Sequence, residues 1–279
     1  MRLKRRIFEN YGMESGFREA VINSVTEDSD GRIWAASLAN AYRLMAPRME
    51  RVPLEARNIW TCLGDRAGGV WFGTYGAGFF RYANGQTEAF TDTTNGVHIS
   101  GLYTSLFLDR SDTLWIGASD GICEIRNGRA VRREGRPFGA YEFRAMAEAP
   151  SGRMFLAAKN NGVIMVEDGR WRPLPREGLG SPRVWSLHVD GNDTLWAGTL
   201  GGGLARYKEG RFFTFASGAA SGLPSVITAI LEDDEEFPLA WIEPRGLPVF
   251  AQGAKLFRRR QGSFDVRGPV RPHGRPWQR

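Results

Sequence analysis

Residues 193–215 read DTLWAGTLGGGLARYKEGRFFTF. Together with the nine residues before them they hold four short β signals. VWSLHV (184–189) alternates apolar and polar side chains, as a half-buried strand does. A polar turn at 190–193 leads to TLWAGT (194–199), a glycine turn at 201–203 to LARY (204–207), and Glu209-Gly210 to RFFTF (211–215). Related strings recur as DGRIWAAS (30–37), GGVWFGTYGAGFFRY (68–82) and DTLWIGASDGICEI (112–125), with a weaker copy, SGRMFLAAKNNGVIMV, at 151–166. The aromatic anchors of the copies are Trp34, Trp71, Trp115, Phe155 and Trp196, separated by 37, 44, 40 and 41 residues. A period of this size marks a repeat architecture.

Strands of four to six residues at even spacing, with Gly and Asp between them, predict an all-β chain. No segment of 12 or more residues carries a helical stripe. Four antiparallel strands with a large aromatic on the second predict the blade of a β-propeller. A four-stranded sheet alone exposes two faces. Radial stacking buries both, and each anchor ring placed between blades contributes about 2–3 kcal/mol. Complete blades are expected at roughly 21–54, 57–91, 101–135, 142–174 and 183–215, with single flanking strands at 5–11 (RRIFENY) and 225–231. That is about five complete blades plus flanking strands, a number that leaves an incomplete ring open. The fourth unit, with Phe155 as anchor and Ala149 in the turn, is expected to be the loosest.

Asp28, Asp65, Asp109 and Asp190 each lie six residues before their Trp. Asp suits a turn because its carboxylate bonds the local backbone. DSDG (28–31) is read as such a turn rather than a calcium loop, since an oxygen cage needs many more ligands.

These residues resemble the two-component regulator propeller repeat, whose pattern runs V-x-x-L-x-x-D-x-x-G-x-L-W-x-G-T-x-x-G-G-L-x-R-Y, then G-x-F-x-x-F, then G-L-P. It is nearly intact from Val184 to Tyr207, Gly210 to Phe215 and Gly222 to Pro224, and the resemblance covers about residues 7–235. The resemblance implies a ligand-sensing input propeller of a signal-transduction receptor, periplasmic or otherwise extracytoplasmic, which commonly precedes a membrane helix and an output module. Those later parts are not in this sequence, nor is an apolar run of 18 or more residues. The basic start MRLKRR lacks the apolar region of a signal peptide. The chain is therefore expected to be a fragment of a receptor's input region.

The organisation is expected to change after residue 235. Spacing from Asp233 asks for an aromatic at 239, where the sequence has Leu239. Back-translating Leu239 to Gly246 and reading one base later permits Trp-Leu-Gly-Ser-Asn-Arg-Gly, the missing W-x-G-T/S strand. Residues 236–279 hold nine Lys or Arg against three Asp or Glu, so of the 37 basic and 31 acidic residues, 28 of each belong to the body. The net charge of +6 thus sits in an Arg- and Pro-rich tail. The division expected is 1–235 for the propeller blades and 236–279 for an aberrant basic tail, disordered or out of frame. No nucleic-acid partner is expected. Cys62 and Cys123 lie on strands of different units and are read as two buried small hydrophobes.

Little in the sequence points to catalysis, and no cofactor or metal is expected. His98, His188 and His273 show no metal-ligand spacing. TLGGGL (199–204) runs into a strand, where a nucleotide fold needs a helix. Two rival readings stay open. Streptogramin lyases share a similar Trp-containing repeat and place a histidine with acidic residues in the central channel, for which His188 with Asp190 or Asp193 is the nearest analogue. A protein-interaction scaffold is the other. If the chain senses, its ligand (a small molecule, such as a saccharide) should meet loops at one rim of the ring or its central channel, and the loops entering each blade vary most. The candidates there are Asn95, His98, Arg136, Tyr141 and Arg183. Downstream receptor domains are the expected protein partners.

Overall fold

A computed structural model describes residues 11–19, 21–90, 103–118, 121–126, 128–133, 142–215, 225–232, 238–241, 249–252, 255–260 and 263–266. The chain divides into two units, 1–135 and 136–279. The first unit holds three four-stranded antiparallel blades. They are β1 (Ser24–Glu27), β2 (Ile33–Ala36), β3 (Ala41–Met45) and β4 (Arg48–Val52); then β5 (Ile59–Gly64), β6 (Val70–Thr74), β7 (Phe79–Ala83) and β8 (Gln86–Phe90); then β9 (Tyr103–Leu108), β10 (Leu114–Ala118), β11 (Gly121–Arg126) and β12 (Arg129–Arg133). The second unit holds β13 (Phe143–Glu148), β14 (Met154–Ala158), β15 (Gly162–Glu167) and β16 (Arg170–Pro173), then β17 (Val184–Val189), β18 (Leu195–Thr199), β19 (Leu204–Lys208) and β20 (Arg211–Phe215). Each blade runs in sequence order. The five blades fall where the repeat period places them, and the architecture is that of a β-propeller.

The register is the same in every blade. Thr26, Leu63, Phe107, Ala147 and His188 stand opposite Trp34, Trp71, Trp115, Phe155 and Trp196. First strands of consecutive blades pack side by side, β1 with β5 and β5 with β9 in the first unit, β13 with β17 in the second. They form the inner edge, and the anchor rings fill the space between blades. Trp34 packs edge-on to Phe72 and against Tyr82 of the next blade. Phe155 and Met165 share a core with Leu195, Ala197 and Phe212.

A further sheet of the second unit runs β21 (Ala229–Glu232), β22 (Pro238–Trp241), β23 (Val249–Gln252), β24 (Lys255–Arg260) and β25 (Ser263–Val266). Its backbone pairing sets Leu231 opposite Leu239, the slot that an aromatic anchor fills in the blades. The rest of 236–279, and the side chains of β22 to β25 and of Leu231 and Glu232, lie outside the described residues, as does the expected strand at 5–11 apart from Tyr11.

Residues 12–19 and 21–22 occupy the place before the first blade that 174–183 occupy before the fifth. Gly178 has φ +74°, and a Cβ there would lie 2.1 Å from the Phe212 carbonyl oxygen of β20. Gly16 has φ +113° and the same relation, at 2.3 Å, to the Met49 carbonyl oxygen of β4. Each glycine lets the chain pass against the outer strand of the blade it is entering. The next residue, Leu179 or Phe17, then plugs the core.

The aspartate before each anchor does more than turn the chain. Oδ2 of Asp28, Asp65, Asp109 and Asp190 accepts the indole N–H of Trp34, Trp71, Trp115 and Trp196 at 2.8, 3.1, 2.8 and 2.9 Å. Oδ1 accepts the backbone N–H groups two and four residues further on, as with Asp30 and Arg32 on Asp28, both at 2.9 Å. A buried ring donor thus gains a charged acceptor, and the turn gains its own closure. In the fourth blade Ala149 and Phe155 replace both partners at once, and both are fully buried. Removing donor and acceptor together leaves nothing unsatisfied.

Burial opposes ionisation of Asp28, Asp65 and Asp109, but hydrogen bonds outweigh it and hold all three carboxyls below the ordinary value. The donors are Trp34 and backbone N–H groups for Asp28, Arg81 and backbone for Asp65, and Trp115 and Ser111 for Asp109. The stabilisation they give is complete above the unfolded pKa of about 3.9 and is lost as pH falls through the lower folded values. Urea midpoints measured from pH 7 to pH 2 should therefore stay level to about pH 4 and then fall.

Candidate ligand-binding rim

Every inner strand from β5 to β17 carries an irregularity at one repeat position. In β5 the register skips Trp60, in β9 Thr104, in β13 Arg144 and in β17 Trp185. Each skipped residue lies five positions before the turn residue Asp65, Asp109, Ala149 or Asp190. A bulge leaves its extra residue out of the ladder and re-aims the side chain. Beyond the bulge the ladder closes again by a shared bond. The carbonyls of Asn58, Glu142 and Arg183 accept from the N–H groups of Tyr75, Lys159 and Leu200 at 2.9, 2.8 and 2.8 Å. The bulges therefore lie at the end of each blade where the chain enters its first strand and leaves its second.

In the first unit this end is apolar and aromatic. Trp60 is 42% exposed and Tyr75 58%, with Leu38 and Val21 also exposed. The Leu38 carbonyl accepts the Ile59 N–H at 3.3 Å, which sets these groups side by side. Asn23, at the matching place in the first blade, donates its side-chain amide to the Ile59 carbonyl at 2.8 Å.

In the second unit the same end is charged. The Arg144 guanidinium lies 4.5 Å from the centroid of the half-buried Trp185 ring. It pairs with Glu142, whose other carboxylate oxygen takes the Lys159 ammonium at 2.6 Å. Arg183 is exposed one step before β17, its N–H 3.3 Å from Ser181 Oγ. Of the five residues read from the sequence as ligand candidates, Arg183 is thus at this rim, while Asn95, His98, Arg136 and Tyr141 lie outside the described residues. Sequence reasoning missed Trp60, Arg144 and Trp185. The signal lies in the pairing register, which skips each of them.

His188 sits at the opposite end of β17, across from Trp196. The carboxylates weighed with it are engaged elsewhere, Asp190 with Trp196 and its own turn, Asp193 with Arg153 and Ser151. The glycines of 201–203 form the turn read from the sequence, with Thr199 Oγ1 bonded to the Gly203 carbonyl at 2.8 Å and a strand following. Two clefts of the first unit, about 490 and 570 Å3, also open at the Asp-turn end. The charged groups Asp65, Arg81, Arg66 and Asp112 on their walls are already paired with one another across and within blades. Cys62 and Cys123 are buried free thiols, and burial pushes Cys62 up to about 12, which leaves it unreactive.

Residues 16–39 match the family model described as two component regulator propeller. The chain carries a two-component regulator propeller repeat. The matched segment spans the linker glycine Gly16, β1, Asp28 and Trp34. No curated protein matches the chain. Among solved structures it is similar to the extracellular domain described as that of a hybrid two-component system, BT3049, from B. thetaiotaomicron (TM-score 0.73, 16% identity, 92% of this chain and 36% of that one). It is similar also to the extracellular domain of a one-component system, BT4673, from the same organism (TM-score 0.69, 14% identity, 90% and 41%). Virginiamycin B lyase from Staphylococcus aureus shares the fold too (TM-score 0.65, 13% identity, 90% and 85%). The chain thus spans less than half the length of the two extracellular domains. Among the described residues no helix is long and apolar enough to cross a membrane.

Proposed function

We propose that this chain belongs to the periplasmic sensing region of a two-component-type receptor and holds a small ligand, such as a saccharide, at the bulged end of its inner strands. The observation that carries this reading is the bulge itself, repeated at one position in β5, β9, β13 and β17 and delivering Trp60, Arg144 and Trp185 to the bulged end of their own blades. A device that breaks the ladder at the same place in successive blades serves the side chains it presents, because the blades would pair better without it. The matched repeat and the two extracellular neighbours support the receptor setting. Ligand would shift the packing of the propeller against downstream receptor domains.

A thermal-shift panel of small saccharides and organic acids tests the reading. The expected hit raises the melting temperature and is recovered unchanged. A hit that is consumed would make the chain an enzyme, as the lyase neighbour is. Trp60→Ala and Trp185→Ala separate binding from folding. Trp60 is substantially exposed, so its loss should change stability by less than about 1 kcal/mol. Loss of the thermal shift in either variant, at unchanged folding, is the expected result. A shift unchanged in both would remove the rim from the account and favour a scaffold that engages a protein partner elsewhere.

A further inference from the structure

We propose that the bulged end of the second unit is an anion-recognising subsite for a small ligand bearing a carboxylate, a proposal that rests on the sensor reading above. Glu142 and Arg183 are counterparts in neighbouring blades, each offering its carbonyl to the residue four beyond the anchor, Lys159 or Leu200. Their charges are treated differently. Glu142 is neutralised twice, by Arg144 and by Lys159. Arg183 is exposed and, among the described residues, forms no ion pair, while its backbone N–H meets Ser181 and its carbonyl Leu200. The Pro182 carbonyl accepts the Gly162 N–H at 2.9 Å, which holds Arg183 beside the turn that carries Lys159. Two cations thus pair with one carboxylate, and the linker beside them adds the exposed charge of Arg183.

Arg144 adds a second cation, paired with Glu142 and held in a fixed orientation. Its Nε is buried and, among the described residues, has no hydrogen-bond partner. Its guanidinium is held over the Trp185 ring, so little side-chain freedom is lost when it binds. A planar fork of donors matches a carboxylate, and a half-buried indole offers apolar surface to the rest of a small molecule. The corresponding positions of the blade β5–β8 are Asn58, Trp60 and Tyr75, none of them charged. The acid preference therefore belongs to the second unit.

Isothermal titration of the full chain with glucuronate and with glucose tests this, because the two probes differ only at C6, where a carboxylate replaces a hydroxymethyl group. Glucuronate should bind saturably, at least about tenfold more tightly than glucose, and more weakly as salt is raised. Arg183→Gln and Arg144→Gln should each reduce glucuronate binding about tenfold. Arg144→Gln could perturb folding because it strips Glu142 of a partner. Arg183→Gln and Lys159→Gln, both at exposed positions, keep the test decisive. Equal binding of the two probes, no binding of glucuronate, or binding unchanged in Arg183→Gln and Lys159→Gln would overturn the subsite. If glucuronate fails while a neutral panel compound binds, the subsite falls and the sensor reading stands. If glucuronate binds through Arg183 and is chemically converted, the subsite stands and the sensor reading falls.

Discussion

Asp28→Ala should destabilise the first blade by about 3 kcal/mol, read as the shift in urea midpoint at constant slope. The side chain of Asp28 is fully buried, and its two oxygens serve three N–H donors, those of Trp34, Asp30 and Arg32. The two backbone donors can turn to water at an exposed turn. The indole of Trp34 cannot, because the ring is sealed between blades. An orphaned buried donor that has lost a charged acceptor accounts for most of the loss. The fourth blade shows the remedy. In the Asp28→Ala background, Trp34→Phe should cost less than it does alone, because the donor leaves with its acceptor. The reciprocal pair, Ala149→Asp with Phe155→Trp, should show a favourable coupling of about 1–3 kcal/mol over the two single variants. Additive effects in both cycles would mean that the carboxylate acts on the turn alone.

Gly198→Val is expected to be as damaging, by about 3 kcal/mol, through overpacking. Gly198 is the glycine of W-x-G-T in the fifth blade. A Cβ at this position would lie 2.2 Å from Ser186 Oγ, 2.6 Å from Ile227 Cγ2 and 2.8 Å from the Ile227 carbonyl oxygen. Nothing there is the loose end of a flexible chain. Ser186 Oγ is bonded to that same carbonyl at 3.3 Å, and Ile227 is fully buried with Trp196 and Leu204. The glycine is the gap through which the lead-in to the next sheet approaches. Gly191→Ala is the control: a Cβ there meets nothing within 4 Å, so stability should be unchanged.

The blades were legible in the sequence because their determinants are local. The spacing of Trp34, Trp71, Trp115, Phe155 and Trp196 marks the second strands, and the Gly and Asp turns between runs mark the ends of the others. The partner of each Asp was harder to see. A six-residue interval is a plain regularity, but that it joins a carboxylate to an indole depends on the hairpin folding β2 back over its turn. The joint exchange at Ala149 and Phe155 was the available clue, and it reads as weakness until the hydrogen bond is known. The rim was the least legible part. Trp60, Arg144 and Trp185 look like ordinary strand residues, and only the pairing register shows that the ladder passes them by. The exposure of Arg183 was legible because it sits in a linker, where exposed charge is easy to read.

Hydrogen–deuterium exchange of the chain, with and without the panel compound giving the largest thermal shift, tests the central claim most directly. Protection should appear in 58–62 with 74–78, or in 142–146 with 158–162 and 183–187, the segments that build the bulged end of each unit. Protection confined to the Asp turns at 28–32, 65–69, 109–113 and 190–194 would contradict the account and move the binding site to the opposite end of the blades.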